Sequence, residues 1–220
     1  MRKQMILFSL AAVGVMFLLS GWAWFQLPAN AAVPVHWGFS GQADRYGSKA
    51  EGLLLTPFLT LGISVLFYFL PQLDPRGKNL LRSEQAYRAM WGMMLVFLLG
   101  LHTTTTLIAL GFQINIEKVL MPSLGILFIV LGNFMGKIRQ NYTMGIRTPW
   151  TLYSEEIWNK THRFGGRVFV AAGALTLIAS FLSLSVAIPV LILSLVGAGL
   201  APVIYSYLLY RGEQTPKKPG

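Results

Sequence analysis

Six apolar runs of about twenty residues each constrain the fold of this chain more than any other feature. They cover residues 5–27, 53–70, 89–111, 119–136, 168–187 and 189–210. A helix of this length and composition can cross the hydrocarbon core of a bilayer. Charged residues make up only 12% of the 220 residues, about half the share found in soluble domains. We therefore predict an all-α, multi-pass membrane protein with six transmembrane helices.

The first apolar run permits two interpretations. Arg2 and Lys3 precede it, and residues 29–31 (Ala-Asn-Ala) fit the small-x-small cleavage pattern of a signal peptide. The run is longer than the apolar core of a usual signal peptide, however, and further runs follow it. We therefore favour a retained first helix, with Trp22 and Trp24 at its outer interface.

Lys and Arg residues are distributed unevenly between the connections. With six spans, the N-terminus carries two cations, the second loop four, the fourth loop six and the tail three. The other side has only Arg45, Lys49 and Lys118. Because short cytoplasmic loops retain Lys and Arg, we predict cytoplasmic termini and an outward loop over residues 28–52. The net charge of +10 then reflects topology, and we expect no direct contact with nucleic acid.

This topology divides the chain into two membrane halves. We expect residues 1–115 to form an N-terminal half with spans one to three and the outward loop 28–52. Residues 116–220 then form a C-terminal half with spans four to six and the cytoplasmic loop 137–167. The last ten residues are polar and are expected to be disordered.

Residues 141–167 form the longest polar interval between apolar runs in the C-terminal half. On a helical wheel, one face is mainly aromatic and apolar, with Trp150, Tyr153, Ile157 and Phe164. The opposite face is polar, with Glu155, Glu156, Asn159, His162 and Arg163. This pattern, with its basic flanks, predicts one short amphipathic helix that lies in the headgroup plane.

Capping residues indicate where this interfacial helix begins and ends. Thr148 before Pro149 is one candidate start, and Ser154 followed by two Glu residues is another. We expect the helix to end at residues 165–166, a Gly pair. The helix could simply anchor the chain at the interface, or its polar face could be a docking surface, and the pattern does not separate these two hypotheses.

The outward loop contains a second group of candidate residues: His36, Trp37, Asp44, Tyr46 and Lys49. Its Gly, Pro and Ser content predicts an irregular, turn-rich structure. His36 and Asp44 could contribute to a metal site, but two ligands without a third are weak evidence. Turn formation by Asp44 and an interfacial position for Trp37 are the alternatives. We expect no metal, and we favour binding of a ligand from outside, because exposed loops often carry recognition.

Two polar positions lie inside predicted spans. His102 is in the middle of the third span, followed by four Thr residues, and Asn133 is near the cytoplasmic end of the fourth. An ionisable group at this depth suggests a functional pathway, but His, Thr and Asn also join helices by hydrogen bonds. We favour the hydrogen bonds, because no acidic residue lies within a span to complete a proton relay. A transporter or exporter of a small or peptidic substrate is the alternative function.

The sequence offers little for an enzyme. It contains no cysteine and lacks the motifs of hydrolases, zinc proteases and phosphate-binding loops. Glu155 and Glu156 are adjacent, so on a helix they point about 100° apart and cannot form a close acid–base pair. We therefore expect no catalysis and no cofactor.

Two stretches resemble a known family. Residues 133–167 contain GN-x-M-x-K, NY-x-x-GIRTPWTL, SEE-x-W and KTHRFGG, a pattern that closely resembles the signature of the SdpI family. Residues 34–75 contain P-x-HW, G-x-x-D-x-YGSK and LP-x-LDP, which resemble the small membrane domain of unknown function that precedes it in those proteins.

The resemblance implies a bacterial cell-membrane protein that protects its cell from a secreted, membrane-active peptide toxin of the SdpC type. It further implies recruitment of a cytoplasmic winged-helix autorepressor of the SdpR type to the membrane. On this basis the outward-loop residues become candidate toxin contacts. The candidate repressor-facing or interfacial residues are Arg147, Thr148, Pro149, Trp150, Glu155, Trp158, His162 and Arg163.

Overall fold

The computed structural model describes residues 2–214, which form helices and one two-stranded sheet. The long helices are α1 (Arg2–Gln26), α2 (Lys49–Leu73), α4 (Glu84–Ala109), α5 (Glu117–Met135), α7 (Glu155–Ala179) and α8 (Leu184–Gln214). Two short helices, α3 (Gly77–Arg82) and α6 (Pro149–Tyr153), and the strands β1 (Val33–Trp37) and β2 (Ala43–Gly47) lie between them.

Five of these helices are long and apolar enough to cross a membrane: α1, α2, α4, α5 and α8. The predicted fifth span, over residues 168–187, corresponds only in part to α7. This helix ends at Ala179 and begins at Glu155, so its first half is polar and charged. The residues from Ser180 to Ser183 turn the chain into α8, which includes the end of the predicted fifth span.

The prediction of an irregular outward loop was wrong, because residues 33–47 form an antiparallel hairpin. Gly41, at φ +75°, lies in its turn, where a left-handed backbone favours glycine. Val33 is buried against α2, and a Cβ at Gly52 would overlap it. Ser48 then caps α2 by accepting a hydrogen bond from the Glu51 N–H at 3.2 Å. The hairpin is therefore fixed to the start of the next helix.

The prediction of one short interfacial helix was also wrong. Both candidate starts exist, but they begin different helices: Thr148 caps α6 with a capping box, and Ser154 caps α7. Residues 165–166 do not end the second helix, which continues to Ala179. These two glycines face neighbouring helices and are buried, so their lack of a side chain serves helix packing instead of helix termination.

Two reciprocal glycine contacts bring α5 and α7 together. A Cβ at Gly132 would lie 2.6 Å from the Gly166 carbonyl oxygen, and a Cβ at Gly166 would lie 2.6 Å from that of Gly132. Gly125 and Gly173 make the equivalent contact one heptad away. Small residues allow membrane helices to approach this closely. The two backbones therefore touch along the helix pair.

This contact predicts different effects for two glycine substitutions. Gly166→Ala should destabilise the protein by about 1–3 kcal/mol, because the added methyl group meets backbone that cannot rotate away. Gly197→Ala is the matched control, since a Cβ at Gly197 has no atom within 4 Å. Thermal unfolding in detergent micelles measures both. Equal midpoints for the two variants would contradict the role of this glycine contact.

Candidate functional site

The hairpin covers one end of the helix bundle and forms a cleft with it. The cleft has a volume of about 340 Å³ and lies between β1, β2, α2, α4 and the start of α5. His36, Trp37 and Arg45 line it from the hairpin side. Aliphatic side chains of the helices line the other side, among them Leu55, Leu101, Ile116 and Leu120. We call this end of the bundle the hairpin face.

Ion pairs stiffen the exposed side of the hairpin. His36 Nδ1 lies 2.6 Å from Asp44 Oδ1 across the strands, and Arg45 Nη2 lies 3.1 Å from Glu51 Oε1 at the start of α2. Exposed pairs of this kind contribute little to stability, but they orient the side chains. No group of three or more His, Cys, Asp or Glu side chains that could hold a metal ion occurs within residues 2–214.

Four of the five predicted outward contacts are accessible to different degrees, and one, Lys49, is not. His36 and Tyr46 are exposed, and Trp37 is half-buried in the cleft. Lys49 is buried, because its Nζ donates hydrogen bonds to the carbonyl oxygens of Trp24 at 2.6 Å and Leu27 at 2.9 Å. A cation at this position satisfies the last carbonyls of α1 and complements the helix dipole. Lys49 therefore joins α1 to α2.

The fifth residue, Asp44, is exposed and is held by His36. Sequence analysis missed Phe39, at the tip of the hairpin, whose side chain is 79% exposed. A large apolar side chain in a polar loop was the available signal. Phe39 and Tyr46 are therefore two exposed aromatic side chains on the hairpin.

At the other end of the bundle, polar side chains hold the irregular backbone of residues 137–148. Buried Asp74 accepts hydrogen bonds from the Tyr142 N–H and the Thr143 hydroxyl, both at 2.9 Å. Asn79 donates to the Gln140 carbonyl oxygen at 2.8 Å. Fully buried Asn141 accepts from the backbone N–H groups of Thr143 and Met144. We call this end the loop face.

His162 completes this arrangement from α7. Its Nε2 accepts a hydrogen bond from the Ile146 N–H at 2.9 Å, so its Nδ1 carries the proton and donates to the Trp158 carbonyl oxygen at 2.8 Å. The Trp158 ring stacks on the imidazole at 3.9 Å and donates from Nε1 to the Ile138 carbonyl oxygen. Gly145, at φ +104°, allows the loop to pass His162, which a Cβ there would overlap.

Burial separates the predicted repressor-facing residues into three groups: buried, half-buried and exposed. Trp158, His162 and Thr148 are buried, so they do not offer their side chains to a partner in this structure. The helical wheel had placed His162 on the polar face. Trp150 is half-buried, because its indole N–H donates to Ser206 and its ring packs against Tyr207 and Tyr210 of α8. The exposed residues are Arg147, Pro149, Glu155 and Arg163.

The two polar residues predicted inside spans have different environments. His102 is fully buried, and its Nε2 lies 3.0 Å from Ser20 Oγ, which in turn donates to the Leu53 carbonyl oxygen at 2.6 Å. The hydrogen bonds therefore join α1, α2 and α4. Such bonds between helices are the role that the sequence analysis favoured for His102 over a functional pathway. Asn133 is exposed on α5 and lines a groove beside Lys137.

Comparisons with known proteins identify related sequences. Residues 137–206 match the model of the SdpI/YfhL protein family, and residues 11–61 match a domain of unknown function (DUF1648). The chain is 30% identical over 215 residues to Immunity protein SdpI of Bacillus subtilis (strain 168), covering 96% of this chain and 97% of that protein. The chain belongs to the SdpI family. No solved structure matches it.

Membership in the SdpI family and five apolar helices make this chain a multi-pass protein of the cell membrane. The resemblance seen in the sequence is confirmed, although the first matched region begins at residue 11, inside α1, instead of in the outward loop. The family match extends into α8, as far as residue 206, beyond the motif-bearing residues. The loop-face hydrogen bonds thus lie within the matched SdpI region or contact it.

Several structural residues of the loop face were missed by sequence analysis. Asp74, Asn79 and Gln140 lie in loops or short helices, where polar residues are usual. The LDP motif around Asp74 was noticed only as part of a resemblance. Its physical role depends on the Tyr142 N–H, which is 68 residues away along the chain. No local pattern could reveal that pairing.

The His162 geometry predicts a pH-dependent stability. Burial lowers the pKa of His162 to about 4 from 6.5, so the unfolded chain binds a proton more readily than the folded chain. The stability that neutral His162 contributes to the folded protein is therefore fully present above pH 6.5. The free energy of unfolding falls by about 3 kcal/mol as the pH falls to 4. The measurement is the unfolding free energy in micelles between pH 4 and 7.

The control for this prediction is His162→Gln, whose amide can still accept a hydrogen bond from Ile146. The variant should be less stable at pH 7, with a smaller difference between pH 7 and pH 4 than the native protein shows. The same pH dependence in both proteins would mean that His162 is not a source of it.

Proposed function

We propose that this chain is an integral membrane immunity protein that protects its cell from a secreted, membrane-active peptide toxin. The observation that carries this proposal is the similarity to Immunity protein SdpI over 96% of the chain. The hairpin-face cleft supplies a physical place for the activity. Protection by binding needs an accessible surface that fits a peptide, and no catalytic group is required.

The proposed orientation places the hairpin face outside the cell and the loop face in the cytoplasm. It takes the apolar second half of α7, from residue 168 on, as part of a further span, in addition to the five apolar helices. Its support is the distribution of charge: Lys78, Arg139, Arg147 and Arg163 are among the many cations at the loop face, whereas the hairpin face has few. Both termini are then cytoplasmic, and the halves 1–115 and 116–220 contribute three spans each.

The hairpin face suits an apolar or amphipathic peptide. Phe39 is 79% exposed and Tyr46 is 57% exposed, and aromatic residues of this kind are frequent anchors in binding surfaces. Trp37, also on the hairpin, lines the cleft, whose helix side is mainly aliphatic. His36 and Asp44 would frame this surface with polar groups. We propose that toxin side chains enter the cleft while its backbone lies along the hairpin.

We further propose that the loop face recruits a cytoplasmic winged-helix repressor. The support for this step is the set of exposed residues Arg147, Pro149, Glu155 and Arg163, with Trp150 at its edge. Trp158, His162 and Thr148 would act from beneath by holding the backbone that presents these residues. The contact would be between proteins, with no direct contact to nucleic acid.

Transport is the alternative function, and one observation weighs against it. His102 would be the central polar group of a pathway, yet it is engaged in hydrogen bonds that join three helices. His102→Leu should therefore leave protection from the toxin in place if the protein folds. Loss of protection in a variant that retains normal abundance and normal thermal unfolding would favour a transporter.

The proposed orientation predicts opposite labelling of two engineered cysteines. The chain has no cysteine of its own, so Ser40→Cys at the hairpin tip and Asn159→Cys on α7 are unique labels. In intact cells, a membrane-impermeant maleimide should react with Ser40→Cys and not with Asn159→Cys. Both should react after the cells are permeabilised. Labelling of both residues in intact cells would refute this topology.

The two proposed surfaces predict two separable defects. A Trp37→Ala/Phe39→Ser double variant should lose protection in a toxin-susceptible strain, because it removes two aromatic side chains of the hairpin. Arg147→Glu/Glu155→Lys should retain protection and lose membrane recruitment of a co-expressed repressor. Survival at increasing toxin doses and fractionation of the tagged repressor are the two measurements.

Each double variant is the control for the other. One replaces exposed or half-buried residues at the hairpin face, and the other replaces exposed residues at the loop face. Immunoblotting must show equal protein in the membrane. If protection and recruitment fall together with protein amount in both variants, the residues are structural and this assignment of surfaces is wrong.

A further inference from the structure

A second groove, of about 550 Å³, lies on the outside of the α5–α7 pair at the loop face. It exists because Gly132 and Gly166 bring the helices together without side chains to fill the space above them. Three cations line one end of it: Lys137, Arg163 and Arg167. This groove is on a different part of the protein from the hairpin-face cleft.

The three cations have no acidic partner among residues 2–214. Two cations elsewhere on the helices are paired: Lys160 Nζ lies 2.6 Å from Glu156 Oε1, and Arg88 Nη1 lies 3.6 Å from Glu84 Oε1. Lys137 Nζ instead lies over the Phe134 ring, 4.7 Å from its centre. Like charges that converge on one groove repel one another, and an anion between them would relieve that repulsion.

The other end of the groove is apolar. Val170, Ala171 and Ala174 continue along α7 beyond Arg167, in the part of the helix that follows the charged half. From Arg163 to Ala174 the helix rises about 16 Å, which accommodates a headgroup and the first part of an acyl chain. Small side chains leave room for such a chain against the helix. An inorganic anion would use only the basic end.

The groove also has groups that suit a phosphate in particular. Arginine guanidinium groups bind phosphate oxygens through two parallel hydrogen bonds. Asn133, beside Lys137 on α5, adds an amide that can donate to an oxygen. The Arg163 stem packs on Gly136 of the facing helix end, where a Cβ would lie 3.5 Å from Arg163 Cγ, and both residues line the groove.

We propose that this groove binds an anionic phospholipid, with the phosphate at Lys137, Arg163 and Arg167 and one acyl chain over Val170, Ala171 and Ala174. The bound lipid would cover the glycine contact between α5 and α7. This inference depends on neither the toxin nor the repressor, and its test does not depend on the orientation in the membrane.

The test measures lipid binding to the delipidated full-length protein in detergent by native mass spectrometry. The probes are dioleoyl phosphatidylglycerol, dioleoyl phosphatidylcholine and inorganic phosphate. The native protein should bind phosphatidylglycerol at least about tenfold more tightly than phosphatidylcholine, because each basic residue near a headgroup contributes a several-fold gain. Lys137→Gln/Arg163→Gln/Arg167→Gln should abolish this preference.

Two matched variants make the result specific. Arg139→Gln/Arg147→Gln/Lys160→Gln removes the same number of charges from the same region and should retain the preference. Ala171→Trp fills the apolar end without a change in charge and should weaken phosphatidylglycerol binding while inorganic phosphate binding is unchanged. Thermal unfolding verifies that each variant folds, and Arg163→Gln alone replaces the triple variant if that variant does not.

Three results would overturn the proposal. Equal binding of the two lipids by the native protein would exclude a site that selects an anionic phospholipid. An equal loss in both triple variants would indicate general attraction to positive charge. Phosphate binding as tight as phosphatidylglycerol binding, with no effect of Ala171→Trp on either, would identify a small-anion site instead.

Discussion

Buried backbone polar groups outside helices need hydrogen-bond partners inside the protein, and this requirement shapes the loop face. Residues 137–148 are not helical, so their N–H and C=O groups lack the partners that a helix supplies. Asp74, Asn141 and His162 take that role, each by accepting from backbone N–H groups. The polar residues of this region therefore hold the loop in place, and exposed neighbours such as Arg147 depend on them for their position.

This requirement explains which parts of the structure could be predicted from sequence. Apolar runs near twenty residues identify helices because their length and composition are local properties, and Thr148 and Ser154 identify helix starts for the same reason. The burial of His162 is not a local property. It depends on the Ile146 N–H and the Trp158 ring, so a helical wheel that sorts residues by polarity places His162 on the wrong face.

Lys49 and the hairpin show the same limit at the other end of the bundle. A cation in a polar loop is usually exposed, but Lys49 meets the free carbonyl groups at the end of α1, and those groups outweigh the cost of burial. The strands are only five residues long, and their residues are mainly half-buried in β1 and mainly exposed in β2, so they lack the clear alternation of a half-buried strand. Pro34 within β1 also weakens the strand pattern.

The N-terminal and C-terminal halves of the chain contact each other at both ends of the bundle, and this geometry bears on signalling. The hairpin-face cleft is lined by Leu101 of α4 and by Ile116, just before α5, so a ligand there contacts both halves of the bundle. At the loop face the same halves are joined by hydrogen bonds from Asn79 to Gln140 and from the Tyr142 N–H to Asp74.

Within the C-terminal half, α5 and α7 touch backbone to backbone at their glycines, which leaves little freedom for them to slide. The connection between the halves is packed less closely at its glycine: Gly111 adopts φ +92° between α4 and α5, and a Cβ there would have no atom within 4 Å. A ligand shifts an equilibrium only by its difference in affinity for two arrangements. The cleft and the loop-face hydrogen bonds can therefore be coupled only if the halves have two relative positions, and the α4–α5 interface is where those positions would differ.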